Sequence, residues 1–174
     1  MAKKETKRTG DTATRIRQSA LRLFARRGYE ATGIRDVARD AGLSLATLYH
    51  YIDSKEDLLF DIARTSMKDL SEGGEAAMAG AVTPADRLAA LVRAHVEMHG
   101  NQRLEAIVSD TELRSLSEPV RKSAVKLRDR YEALWQQVIA EGVATGEFAV
   151  EDPKLARLAL LQMCTGVAYW YSPA

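Results

Sequence analysis

The apolar residues of this chain recur mainly every three or four positions, the spacing of helices that bury one face. A first helix carries such a face at Ile16, Ala20, Leu23 and Phe24. Gly28 follows it, and glycine readily adopts the left-handed backbone that ends many helices. The alternation of apolar and polar residues that is typical of strands is not apparent, so the pattern predicts an all-α fold.

Short helices come first along the chain, and longer ones follow. We predict the second and third helices over 34–41 and 45–51, with Gly33 and Ser44 as their N-caps. A fourth begins after Ser54 and continues to about residue 79. Glycine and proline positions then divide the rest into helices predicted over 85–99, 103–116, 119–142 and 153–171.

The sequence AGLS joins the second and third helices in the pattern of a helix-turn-helix. Gly42 permits the tight turn, and Leu43 fills the angle between the two helices. Leu48 and Ile52 are four residues apart, so they share the buried face of the third helix. The opposite face then presents Leu45, Ala46, Tyr49 and His50 to solvent. Tyrosine hydroxyls and imidazoles can bind phosphates, and small apolar groups can contact thymine methyls, so this face is predicted to contact DNA.

The distribution of charge agrees with a nucleic-acid partner for the N-terminal part. Residues 1–52 carry 11 basic and 5 acidic residues, whereas the remaining 122 residues carry 14 and 19. Lys55 lies in the first turn of the fourth helix, where the helix dipole and backbone amides favour an anion. We expect Lys55 to bind a phosphate there; the alternative is a free surface lysine.

Composition narrows the class of protein. Cys164 is the only cysteine, so an internal disulfide framework is excluded and a reducing compartment is favoured. The N-terminus has basic residues without a following apolar stretch, unlike a secretory signal. The uncharged segment over 158–171 is shorter than the roughly 20 apolar residues of a spanning helix. We expect a soluble, cytoplasmic protein without a membrane partner.

The segment RIRQSALRLFARRGYEATGIRDVARDAGLSLATLYHYIDSKEDLL resembles the N-terminal domain of the TetR family of transcriptional repressors. The shared motifs are F-A-x-R-G-Y, I-x-D-V-A, A-G-L-S, T-L-Y-x-Y and S-K-E-x-L. The resemblance implies a flexible basic tail over 1–11, a three-helix helix-turn-helix domain over 12–60, and a larger helical ligand-binding and dimerisation domain over 61–174. It also implies a homodimer that binds a palindromic operator in double-stranded DNA.

The family's contact positions can be carried over by matching position. Phosphate contacts fall on Thr32, Thr47, Tyr49, Tyr51 and Lys55, and the positions nearest the base edges are Leu45, Ala46, Thr47, Tyr49 and His50. Gly33 and Ser44, which begin the second and third helices, complete the expected DNA-binding set. Leu45 stands where a polar residue is frequent, and a leucine cannot donate a hydrogen bond to a base.

The larger domain resembles a subgroup of regulators that bind coenzyme A thioesters of fatty or steroid catabolites. The resemblance rests on EAIVSDTELRSLSEP, EGVATGEF and GVAYWYSPA. It implies a small-molecule effector, with an acyl-CoA thioester favoured over a nonpolar drug-like or steroid compound, and a further C-terminal helix beyond this chain. The expected ligand contacts are Met98, Arg103, Ile107, Met163 and Trp170, with Arg114 as a second basic group; ordinary core packing is the alternative for the apolar ones.

His95 and His99 are four residues apart in HVEMH, so both can lie on one helix face. Val96 stands where the H-E-x-x-H metalloprotease motif has its glutamate, and a third ligand is not evident. A metal site, a polar pair lining a ligand cavity, and a solvated or internally bonded pair remain open. The enzyme alternative is a helical metalloenzyme using this pair with Asp110 or Glu112; we expect instead a non-enzyme without cofactor or metal.

Overall fold

The computed structural model describes the backbone of residues 2–171 and the side chains of residues 10–171. Within that range the chain forms nine α-helices and one 3-10 turn, without strands, which confirms the all-α prediction. The helices are α1 (Ala2–Arg27), α2 (Ile34–Asp40), α3 (Leu45–Leu48), α4 (Lys55–Met78), α5 (Pro84–Asn101), α6 (Arg103–Thr111), α7 (Glu118–Ala144), α8 (Pro153–Thr165) and α9 (Val167–Trp170). The 3-10 turn, Leu113–Ser115, joins α6 to α7.

The head comprises α1, α2, α3 and the first turns of α4. It packs around one apolar core, the head core, which also includes Val108, Leu116 and Ala124 from the larger domain. Its fully buried side chains include Ile16, Phe24, Val37, Leu48 and Leu59. Gly28 and Gly42 adopt positive φ angles of 83° and 65°, as predicted for the residues that end α1 and α2. Ser44 and Ser54 cap α3 and α4, each accepting a hydrogen bond from the backbone N–H three residues on.

The larger domain is built on α4, which runs from the head into a second core shared with α5, α7 and α8. That core contains Leu70, Leu91, Tyr131, Trp135, Val138 and Cys164. Proline in the first turn and a capping side chain begin both α5 and α8, with Thr83 and Asp152 as the caps. Between residues 2 and 171, no helix combines the length and the apolar character needed to cross a membrane.

Helix ends in the head differ from the sequence prediction in two places. α1 begins at Ala2, although we expected a flexible tail over 1–11; that segment lacks proline, the strongest helix breaker, and contains several good helix formers. α3 ends at Leu48 rather than at residue 51, because the backbone N–H of His50 bonds three residues back instead of four.

The other differences lie in the larger domain. The helix predicted over 103–116 ends at Thr111, and the tighter 3-10 turn follows it at Leu113–Ser115. The one predicted over 153–171 is divided at Gly166 into α8 and α9. Gly100 and Asn101, expected to form a turn, belong to the last turn of α5, and Gln102 forms the junction with α6.

Candidate functional site

α3 is anchored so that one of its faces remains in solvent. The Ser44 hydroxyl accepts a hydrogen bond from the Thr47 backbone N–H at 3.0 Å and lies 2.7 Å from the Thr47 hydroxyl. Leu48 is fully buried in the head core and fixes the opposite side. The exposed positions are Ala46, Tyr49 and His50, as predicted. They form a surface of one methyl group, one phenol and one imidazole.

Two residues predicted to face DNA are partly withdrawn from that surface. Leu45 and Tyr51 both pack against the head core and are only partly exposed. For Leu45 the prediction of an exposed side chain is wrong, because the first turn of α3 lies close enough to the core for a leucine to reach it. For Tyr51 the reason is the early end of α3, after which the residue lines a small pocket together with Arg17 of α1 and Ile52.

Thr32 is internal, contrary to its predicted phosphate contact. Its side chain is fully buried, and its hydroxyl donates to the Gly28 carbonyl at 2.8 Å. The side chain therefore secures the turn between α1 and α2 rather than facing DNA. Gly33 is exposed, and its backbone N–H donates to the Asp36 carboxylate at 3.2 Å, so it begins α2 as predicted.

Lys55 also has internal partners where we expected a phosphate. Its ammonium donates to the backbone carbonyls of Tyr29, at 3.0 Å, and Thr32, at 3.1 Å. It also lies 3.9 Å from the centroid of the Tyr29 ring, a favourable cation–π arrangement. Lys55 is thus neither a free surface lysine nor committed to an anion: it ties α4 to the α1–α2 turn, and only one of its three protons remains for DNA.

The larger domain contains a cavity of about 580 Å³ between five helices and the 3-10 turn. Most of the residues that line it were not predicted from the sequence. Its apolar lining includes Ala63, Met67, Leu70, Ala106, Leu113, Ala124, Val125, Leu158 and Leu161, and its polar lining includes Ser66, His95, His99, Ser109, Tyr131, Gln162 and Thr165. A volume of this size lies within the range of small-molecule sites.

None of the five predicted ligand contacts lines this cavity. Met163 and Trp170 are 73% and 72% exposed, on the outer side of α8 and α9. Met98 packs on the second core, and Ile107 is partly buried away from the cavity. The Arg103 guanidinium donates to the backbone carbonyls of Ala168 and Tyr169, so it joins α6 to α9. Helical spacing identified apolar faces, but not which of them surrounds the cavity.

His95 and His99 are buried and line the cavity, which supports the polar-pair interpretation. Their rings stack with centroids 4.0 Å apart. His95 Nδ1 lies 2.8 Å from the Tyr131 hydroxyl, and its Nε2 lies 3.2 Å from the Thr165 hydroxyl. Burial lowers the pKa of His95 to about 3, with a further decrease from His99, so His95 is neutral at physiological pH.

The surroundings of His95 and His99 do not favour the metal-site alternative. Among the described residues, no group of three or more His, Cys, Asp or Glu side chains is placed to hold a metal ion. Both ring nitrogens of His95 already have hydroxyl partners. Asp110 accepts a hydrogen bond from the Tyr169 hydroxyl, and Glu112 lies near the hydroxyls of Thr111 and Ser115.

Three arginines, Arg114 of the 3-10 turn and Arg121 and Arg128 of α7, line the cavity, and we call them the arginine rim. Arg128 shares Glu132 with Arg157, at 3.2 and 3.1 Å. Neither Arg114 nor Arg121 forms an ion pair among the described residues, and both are exposed. Of the two basic groups proposed from sequence, Arg114 therefore lies at the cavity and Arg103 does not.

One wall of the cavity is shared with the head. Ala124 is a member of the head core and Leu113 packs against that core, yet both also line the cavity. Close by, the backbone N–H of Ser117 at the start of α7 donates to the Glu56 carboxylate in the first turn of α4. α7 therefore joins the cavity wall to the first turn of α4, the helix that carries Lys55.

Two family models match the chain. One, described as "Bacterial regulatory proteins, tetR family", matches residues 16–62, and the other, "Tetracyclin repressor-like, C-terminal domain", matches residues 81–174. The first covers the helix-turn-helix and the start of α4, and the second covers more than half of the chain, from the residues before α5 onward.

Individual relatives agree with this assignment. The chain is 30% identical over 162 residues to the HTH-type transcriptional repressor KstR2 of Rhodococcus jostii, covering 92% of this chain and 79% of that protein. It resembles the TetR family regulator PfmR of Thermus thermophilus, at 34% identity and a TM-score of 0.84, over 91% of this chain and 85% of that one. The structure of AibR with isovaleryl coenzyme A and operator DNA matches at 25% identity and a TM-score of 0.84, over 93% and 88%. The chain belongs to the TetR family of transcriptional regulators.

Proposed function

We propose that this protein is a transcriptional repressor that binds a palindromic operator as a homodimer and is released from it by an acyl-CoA thioester. The observation that carries the proposal is the shared wall: Leu113 and Ala124 touch both the effector cavity and the head core. A ligand that prefers one arrangement of this wall also prefers one arrangement of the head. Such a preference is what couples two sites thermodynamically.

DNA contact is proposed for the exposed side of α3. Ala46 and His50 would lie nearest the base edges, and Tyr49 and Thr47 would bind phosphate oxygens. Each operator half-site then meets one head. Because the contacts include several phosphates, affinity should fall steeply with salt, with log K decreasing by about 0.9 per neutralised phosphate against log salt concentration.

A dimer is proposed through the outer side of α8 and α9. Leu155, Met163 and Trp170 are all exposed on these two helices, whereas monomeric proteins rarely expose large contiguous apolar patches. A two-fold axis there would bring two heads onto one face of the duplex, with recognition helices roughly 34–36 Å apart. Sedimentation at micromolar concentration tests this: a dimer is expected for the wild type, and a monomer for Met163→Glu.

The proposed effector class follows from the two kinds of residue that line the cavity. The apolar walls suit an acyl chain, and the arginine rim suits the phosphates of coenzyme A, which guanidinium groups bind well. The resemblance to AibR, a regulator whose structure holds isovaleryl coenzyme A, favours a thioester for this chain too. A nonpolar steroid or drug-like compound is the second candidate, because it could pack against the apolar walls without binding the arginine rim.

The proposal is tested by titrating dodecanoyl-CoA and isovaleryl-CoA into a complex of the protein with fluorescently labelled operator, identified by selection from random DNA. We expect at least one thioester to release the DNA, with free coenzyme A as a control. Arg121→Ala should weaken thioester binding without changing operator affinity in the absence of ligand. If a thioester binds at saturation yet leaves operator affinity unchanged, the coupling is wrong; if neither binds, the effector class is wrong.

A further inference from the structure

His99 lines the cavity, and only one nitrogen of its ring has an internal hydrogen-bond partner. Its Nδ1 lies 3.0 Å from the His95 backbone carbonyl, and a carbonyl oxygen can only accept a hydrogen bond, so Nδ1 carries the proton. Nε2 has no hydrogen-bond partner among the residues that the structure describes. In a neutral imidazole with its proton on Nδ1, Nε2 is a hydrogen-bond acceptor.

The surroundings favour this neutral form of His99. Burial lowers the pKa of His99, although the bond to the His95 carbonyl and the nearby Asp110 carboxylate oppose the decrease. The His95 ring stacks on it, 4.0 Å away, and is itself held by two hydroxyls. The His95 ring therefore cannot rotate to form a hydrogen bond with His99 without losing its own two hydroxyl partners.

Ser109 adds a second polar group to the same cavity. It is only 6% exposed, and its hydroxyl has no hydrogen-bond partner in the described part of the chain. A buried hydroxyl without a partner lowers stability unless a bound molecule or water supplies one. A hydroxyl can both donate and accept, so Ser109 can bond to the oxygen of a ligand whose proton goes elsewhere.

We propose that the effector's acyl group carries a hydroxyl within the cavity, which donates a hydrogen bond to His99 Nε2 and accepts one from the Ser109 hydroxyl. This inference rests on the proposed acyl-CoA function and names the kind of acyl group. A saturated chain would leave both protein groups unpaired. A ketone could accept from Ser109 but has no proton for Nε2, and a carboxylate, which only accepts hydrogen bonds, has none either.

The binding experiment uses thioesters with one carbon skeleton. Dodecanoyl-CoA is compared by calorimetry with hydroxydodecanoyl-CoA isomers, whose hydroxyl is moved along the chain, and with the corresponding oxododecanoyl-CoA compounds. We expect at least one hydroxy isomer to bind at least about fivefold to tenfold more tightly than dodecanoyl-CoA, since even one of the two proposed hydrogen bonds would give that gain, and more tightly than its oxo counterpart.

Variants assign the gain to His99. His99→Phe keeps a ring but has no acceptor, so it should abolish the hydroxyl preference, measured as the ratio of its affinities for the hydroxy isomer and for dodecanoyl-CoA. His99→Gln restores an acceptor and should recover part of the preference. Ser123→Ala, a substitution of an exposed serine on α7 outside the cavity, is the matched control and should behave as wild type. Thermal unfolding of each variant checks that it folds.

Nitrogen NMR of histidine-labelled wild-type protein provides a measurement that does not need a variant to fold. The chain has three histidines, so the His99 signals can be assigned. A hydroxyl donated to Nε2 should move the resonance of that nitrogen towards the position of a hydrogen-bonded one. Secondary dodecanols and the matching dodecanones, which lack coenzyme A, are measured in the same way.

The outcomes separate the two proposals. If thioesters bind but no hydroxy isomer gains more than twofold and Nε2 does not shift, the hydroxyl inference is wrong while the acyl-CoA function stands. If no thioester binds but a dodecanol binds and shifts Nε2, the hydroxyl inference stands and the effector class is wrong. If neither thioesters nor alcohols bind, both are overturned.

Discussion

The head and the larger domain of this protein carry function in opposite places. In the head, the candidate DNA contacts are exposed side chains on one short helix, and buried neighbours such as Leu48 only hold that helix in position. In the larger domain, the candidate effector contacts lie inside, and they come from five helices that are distant along the chain. A surface can be made by consecutive residues, whereas a cavity exists only after distant helices have packed.

The two regions also differ in whether their buried polar groups have hydrogen-bond partners within the protein. In the head, the side chains of Thr32 and Lys55 donate hydrogen bonds to backbone carbonyls of the turn between α1 and α2. The larger domain instead buries the Ser109 hydroxyl without a partner among the described residues, and its His99 ring forms its internal hydrogen bond through Nδ1. Unpaired polar atoms reduce stability, so their presence in a cavity wall is expected where a ligand completes the bonding.

The largest expected effect concerns the core of the head. Phe24→Ala removes a fully buried ring from the core on which α2, α3 and α4 pack, and should lower the free energy of unfolding by about 3–5 kcal/mol. Urea denaturation measures the change. Val82→Ala, at an exposed position before α5, should cost less than about 0.5 kcal/mol. An equal loss in both variants would contradict the core described here.

In the larger domain the buried histidine should make stability depend on pH. The pKa of His95 is about 3 in the folded state, below its ordinary value of 6.5, so between these pH values only the unfolded chain takes up the proton. Stability should therefore fall as pH is lowered from 6.5, by up to roughly 1.4 kcal/mol per pH unit. His99, whose pKa is also lowered, acts in the same direction.

Urea denaturation between pH 6.5 and about 5 measures this slope before most carboxylates, with ordinary pKa values of about 4, are protonated. His95→Gln should reduce it, because glutamine does not titrate. A slope that is the same in wild type and variant would show that His95 is not held neutral in the folded protein.

The next largest effect on stability is expected from removing the internal hydrogen bonds of Lys55. Lys55→Met keeps the length of the side chain but removes both hydrogen bonds to the Tyr29 and Thr32 carbonyls. We expect the variant to lose about 1.5–3 kcal/mol of stability in the absence of DNA, the range for hydrogen bonds to charged groups. Lys68→Met, which removes an exposed lysine farther along α4, is the matched control. Unchanged stability of Lys55→Met would mean that its partner is DNA alone.

The smallest effect is expected on the outer side of α3. Tyr49→Ala should weaken operator binding by about 1 kcal/mol, roughly fivefold, because one hydrogen bond to a phosphate is lost. Binding to unrelated DNA should weaken by the same factor, since phosphate contacts carry no sequence information. Fluorescence anisotropy with both DNAs measures this. Unchanged affinity would remove Tyr49 from the interface, and a loss confined to the operator would make it a base contact.

Most of the head could be predicted from sequence because its signals are local. Gly28, Gly42 and the serine caps each act within a few residues, so they identified the helix-turn-helix and its exposed face. Leu45 and Thr32 are less exposed than the sequence predicted, and the reason is different. Whether a side chain at the end of a short helix turns inward depends on how close the neighbouring helix lies, and spacing along the chain does not reveal that distance.

The cavity could not be predicted in the same way. Met163 and Trp170 satisfied the helical spacing expected of an apolar lining, but α8 and α9 direct them outward. His95 and His99 stood out as a pair, yet only the packing of α7 and α8 provides the hydroxyls that distinguish a ligand-facing nitrogen from an engaged one. Ser109 gave no sequence signal, because a serine becomes notable only when it is buried without a partner.

The central claim is that the wall formed by Leu113 and Ala124 connects the cavity to the head. The direct measurement is the affinity of an acyl-CoA thioester for the protein, determined by calorimetry with and without saturating operator DNA. If the thioester favours the released state by about 100-fold, or roughly 2.7 kcal/mol of coupling, operator must weaken thioester binding by the same factor. Leu113→Ala, which thins the wall, should reduce that factor. Equal thioester affinity for the free and the DNA-bound protein would contradict the account.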